Sequence, residues 1–159
     1  LHVLFHATIK VCLFLVAGSI IHNTGKTNVD EFDGIGKAMP KTLWAFTFAA
    51  LALIGIPPAS GFVSKWYLAM GALDSGMAVY SWLTPVVLLI SALLTAGYLL
   101  PVTVKGFFPG KDAVLPPKND EGGWGMVAPI WILAALTLLL GLCAGSMLGA
   151  MESLTASLF

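Results

Sequence analysis

The stretch Gly55-Ile56-Pro57-Pro58-Ala59-Ser60-Gly61-Phe62-Val63-Ser64-Lys65 interrupts a long apolar run and then sets a lysine inside it. Consecutive prolines remove backbone donors, and the neighbouring glycines accept backbone shapes closed to other residues. In a hydrocarbon core such a break survives only where protein or water satisfies the freed polar groups. Lys65 stands about two helical turns past the break, at a depth where charge is costly and marks function by default. The stretch therefore predicts an interrupted transmembrane helix, broken at Gly55, Pro57, Pro58 and Gly61, that carries an ion-handling lysine.

The rest of the chain agrees with a membrane setting. Of 159 residues, 58% are hydrophobic and 10% charged, and the mean hydropathy is +0.91. Soluble domains carry about 25% charged residues, so a water-soluble fold is excluded. Lysines and acidic residues cancel, and there is no arginine. Nucleic-acid binding, which needs a basic surface, is excluded with it. Cys12 and Cys143 lie far apart in apolar runs and read as packing residues, with no metal-spaced cluster and no cofactor implied.

Working outward, the pattern predicts an all-α membrane protein of about four spans, over residues 1–21, 42–70, 79–104 and 125–149. Residues 42–70 are too many for one straight crossing, and the break at Gly55 to Pro58 absorbs the excess. Lys26, Lys37 and Lys41 fall in the loop 22–41, and Lys105, Lys111 and Lys118 in the loop 105–124. The positive-inside rule puts both loops in the cytoplasm and both chain ends on the opposite side. Trp44, Trp82 and Trp124 fall near span starts, where indole rings favour the interface. Gly141, Gly145 and Gly149 recur every four residues and predict a close-packing helix face.

The first span carries His2, His6 and Lys10, again four apart, so that on a helix they form one stripe. Three ionisable groups on one face of an apolar span belong in a protein interior that admits water. Histidine changes charge near neutral pH, so a row of such groups joined by water can pass protons along. As a metal pair, His2 and His6 lack a third ligand. Lys10 sits too near the middle of its run to snorkel, whereas the spacing of Lys65 from Met70 leaves snorkelling open. No nucleotide loop, paired carboxylate within a span or nucleophile elbow is present, so no enzyme active site emerges. The opening run has no loop before it and no secretory signal, and the expectation is a fragment with helices upstream.

Three motifs in order, His6-Ala7-Thr8-Ile9-Lys10-Val11-Cys12-Leu13-Phe14-Leu15-Val16-Ala17-Gly18, Gly34-Ile35-Gly36-Lys37-Ala38-Met39-Pro40 and Gly55 to Lys65, carry a family resemblance. They resemble the antiporter-like membrane subunits of respiratory complex I, membrane-bound hydrogenases and multisubunit Mrp-type sodium/proton antiporters. The resemblance implies a proton-conducting subunit built of two inverted five-helix repeats, each with a broken helix. By matching position, Lys10 resembles the lysine of the second repeat, with His6 one turn before it. Lys65 resembles the ionisable residue of that repeat's broken helix, where some members carry glutamate and where control of the outlet half-channel is placed. This chain resembles only the C-terminal part, because the first repeat with its glutamate and partner lysine is absent.

The resemblance thus implies a proton-translocating subunit in a bacterial or archaeal inner membrane, working with other membrane subunits that hold any redox chemistry. Its expected relay residues are His6, Lys10 and Lys65, with His2 lining the path. A D-type subunit of an Mrp antiporter, with Na+ as a further coupling ion, is the alternative within the family. Leu100-Pro101 with Gly106-Phe107-Phe108-Pro109-Gly110 resembles that branch and the hydrogenase type. A non-transporting membrane scaffold is the alternative outside it.

Overall fold

The structure, a computed structural model, describes residues 1–110 and 121–158. Lys111 and Lys118, two of the lysines on which the expected orientation of the loop 105–124 rests, lie outside the described residues. The described chain is entirely helical: α1 (His2–Thr24), a 3-10 turn at Val29–Glu31, α2 (Ile35–Ala38), α3 (Pro40–Ile54), α4 (Ser60–Asp74), α5 (Ala78–Phe107), α6 (Trp124–Leu142) and α7 (Ala144–Leu158). Helices α1, α5 and α6 are long and apolar enough to cross a membrane, and α3 is a shorter apolar helix.

The interruption expected at Gly55 to Pro58 is present, and it separates α3 from α4. Gly55 ends α3 with φ 98°, a left-handed conformation that a side chain would strain. Helix α3 is the centre of the bundle, packed on α1, α4, α5 and α6. It is small-sided, with Ala45, Ala49, Ala50 and Ala52 all buried. Helix α1 buries Phe5, Ile9, Cys12 and Val16 at helical spacing, and the Cys12 thiol donates to the Ile130 carbonyl of α6 at 3.5 Å. By contrast α5 keeps most of its apolar side chains exposed, as lipid or a neighbouring subunit would allow.

The last span differs from its expectation. The helix read over 125–149 divides at Cys143, so Gly141 closes α6 while Gly145 and Gly149 fall on α7. The division changes the glycine face. A Cβ on Gly141 would collide with the Pro58 carbonyl and lie 2.7 Å from the Ser60 nitrogen, whereas Gly145 and Gly149 have nothing within 4 Å. Only Gly141 among these glycines is a close-packing position, and what it packs against is the break itself.

Candidate functional site

The break is a problem of backbone accounting. The last carbonyls of a helix need donors from beyond its end. Leu51 receives them from the Gly55 and Ile56 amides, each at 3.1 Å. Leu53 and Ile54 would look four residues on, to positions 57 and 58, and both are prolines without an N–H. The Lys65 ammonium fills both vacancies, donating to the Leu53 carbonyl at 3.0 Å and the Ile54 carbonyl at 2.8 Å. Thus the lysine of one half-helix caps the other. A cation is also the charge that the negative end of α3 attracts. Lys65 thus turns back toward the break and away from the Met70 end of α4.

Glycines bring the half-helices close enough for that cap. A Cβ on Gly61 would run into the Ala52 carbonyl, and one on Gly55 would lie 3.3 Å from Lys65 Cδ. Beside Lys65 a cavity of about 390 Å³ opens between α4 and α5, lined by Phe62, Trp66, Pro85 and Leu89 among other apolar groups. Lys65 is its charged member. The Ser60 hydroxyl, at the first turn of α4, is buried without a hydrogen-bond partner, a local cost in stability.

Of the α1 row, His2 joins the broken helix directly. Its Nδ1 is 2.8 Å from the Ser64 hydroxyl, and its ring centroid is 5.6 Å from that of His6. Ser64 is 3% exposed and also donates to the Gly61 carbonyl at 3.3 Å. His2 and Ser64 line a second cavity of about 300 Å³ with Tyr67 and Leu148. Helix α4 therefore offers Ser64 to one cavity and Lys65 to another from adjacent positions, about 100° apart around the helix. Lys10 stands farther along α1, half-exposed, and among the described residues it has no hydrogen bond or ion pair. So the structure joins His2 and Ser64 near Lys65 and the break, and continues along α1 through the exposed His6 to Lys10, which lies within electrostatic reach of His6.

These features match a family. Residues 1–95 fit the family described as NADH:quinone oxidoreductase/Mrp antiporter, TM. The chain belongs to that family. It has the architecture of a multi-pass, antiporter-like membrane subunit. NADH-quinone oxidoreductase subunit N of Desulforudis audaxviator is 40% identical over 153 residues, covering 89% of this chain and 30% of the relative. The D subunit of the Na(+)/H(+) antiporter of Bacillus subtilis is 35% identical over 134 residues, covering 84% of this chain and 26% of the relative. The F(420)H(2) dehydrogenase subunit L of Methanosarcina mazei is 38% identical, covering 88% of this chain and 21% of the relative. Among solved structures, a chain of the Mrp complex from Dietzia sp. DQ12-45-1b superposes with a TM-score of 0.72 at 26% identity, over 91% of this chain and 34% of that one. The chain thus spans about a third or less of each of these proteins.

Two functional candidates are not marked by the sequence pattern. Ser64 lies inside the interrupted stretch, but a serine beside a lysine signals nothing until α1 brings His2 to it. Glu121 is 4% exposed and accepts from the Lys41 amide at 3.2 Å and from the Thr42 amide and hydroxyl at 2.8 Å each. The available hint was negative. Helix α3 begins at Pro40 after Met39, with no side-chain cap of its own, so its first amides required an acceptor from elsewhere.

Proposed function

We propose that this chain forms the proton-handling C-terminal part of an antiporter-like subunit in a multisubunit membrane complex. Lys65 accepts and releases the proton at the break, and His2, His6 and Lys10 form the row that leads to it. The supporting observation is the double cap of Lys65 on the Leu53 and Ile54 carbonyls beside a cavity. An ammonium has three donors. With two on the carbonyls, one remains free for proton exchange on the side where Lys65 borders the cavity. A neutral amine still has two N–H groups, so Lys65 can lose its proton without leaving either carbonyl unpaired. What changes is the charge, and with it the attraction to the negative end of α3.

Ser64 and His2 extend the path to the other side of α4. A hydroxyl both donates and accepts, so it can connect a histidine to a backbone carbonyl without carrying charge itself. The partners of the full protein decide whether it serves quinone-linked proton pumping or cation/proton exchange. Similarity both to an oxidoreductase subunit and to an antiporter subunit supports both settings. The test uses the full-length subunit in its native complex, reconstituted into liposomes with a pH-sensitive dye inside. Lys65→Ala and Lys10→Ala each abolish proton flux. Unchanged flux in both alanine variants would assign the chain a scaffold role. A sodium requirement for flux favours the exchange setting, and a redox requirement favours the other.

A further inference from the structure

Helix α3 is held at both ends by charged side chains from other elements. At its negative end stands Lys65, and at its positive end the buried Glu121 carboxylate takes the amides of Lys41 and Thr42. Pro40 has no amide to offer, and the Leu43 amide is bonded to the Met39 carbonyl, so Glu121 completes the first turn. Its own backbone is unusual: φ is 56°, a left-handed conformation that a non-glycine residue keeps only where its surroundings enforce it. The Lys41 ammonium sits 5.4 Å over the Trp124 ring.

Along its length α3 is packed closely, with four alanines among its buried residues and Leu43 set against Gly36 and Gly106, so it moves as one body with little internal give. The two end contacts then report on the same axial position. If α3 moved toward the break, the Glu121 contacts would open; if it moved away, the Leu53 and Ile54 carbonyls would leave Lys65. We propose that Glu121 is a positioning residue for Lys65, acting through α3 as a rigid rod. The inference rests on the role given to Lys65 above.

The experiment measures amide hydrogen exchange in the full-length subunit within its complex, alongside proton flux per assembled complex. Glu121→Gln keeps the shape but exchanges one acceptor oxygen for a donor, so one of the Lys41 and Thr42 contacts fails. The expected result is exchange faster by about fivefold, the factor separating charged from neutral acceptors, in the peptide covering residues 41–44 and also in residues 53–56. Flux falls with it, and in a Lys65→Arg background Glu121→Gln lowers flux no further. Faster exchange confined to residues 41–44 overturns the proposal and reduces Glu121 to a local cap; so does full flux in Glu121→Gln. Should that variant fail to assemble, Thr42→Val deletes one of the three contacts and is read by the same two peptides. If Lys65→Arg itself transports normally while residues 53–56 still respond to Glu121→Gln, the coupling stands and the proton role of Lys65 is what fails.

Discussion

Replacing Lys65 by methionine keeps the length of the side chain and removes its donors, leaving the Leu53 and Ile54 carbonyls without partners. A buried polar group that loses its partner costs about 1–3 kcal/mol. Water entering from the adjoining cavity recovers part of that, so about 2–4 kcal/mol of stability is expected to go. Lys65→Arg separates capping from proton exchange, because a guanidinium retains donors and charge but does not deprotonate in proteins. Its stability should stay within about 1 kcal/mol of the parent, while flux falls on the order of 100-fold, as when a proton-transferring group is removed. Both variants are made in the full subunit. Heat inactivation is compared at a single scan rate, since such assemblies unfold irreversibly, and flux is followed in liposomes. Arginine with normal flux would refute proton release from Lys65. Methionine with unaltered heat resistance would refute the cap.

Gly141→Ala pushes a methyl group into the Pro58 carbonyl and Ser60 amide, and overpacking of this kind costs about 1–3 kcal/mol or more. Gly145→Ala, in open space, serves as the control; equal yields of assembled complex from the two would contradict the packing. Ser64→Ala and His2→Phe are each expected to slow flux, and the double variant should be no slower than the worse single one, since they share one hydrogen bond; multiplicative losses would separate them. At the helix α5 end, Lys105 donates to Asp30 at 2.9 Å, and that hydrogen bond, with the attraction of the ammonium, holds the Asp30 carboxyl below its ordinary range. A depressed carboxyl stabilises the folded loop above its ordinary pKa and ceases to as pH falls through the lowered one. Protease nicking of residues 22–34 should therefore rise only below the ordinary aspartate range, modestly because the pair is exposed, and Asp30→Asn should show that nicking at every pH.

The residues themselves determined that the chain is helical, apolar and interrupted, because two adjacent prolines cannot donate and a lysine within such a run needs a reason. They also marked His2, His6 and Lys10 as one stripe, since four-residue spacing aligns side chains on any helix. Which of those groups meet was decided only in three dimensions. His2 reaches Ser64 and Lys65 reaches back to Leu53 and Ile54, while Lys10 makes no hydrogen bond among the described residues, because such contacts depend on how α1, α3 and α4 cross. The same holds for Glu121, some 80 residues from the amides it accepts, and for Gly141, whose neighbours come from the break. Spacing reports what one element can present; backbone donors and acceptors left over at helix ends are satisfied by whichever side chains the packing delivers.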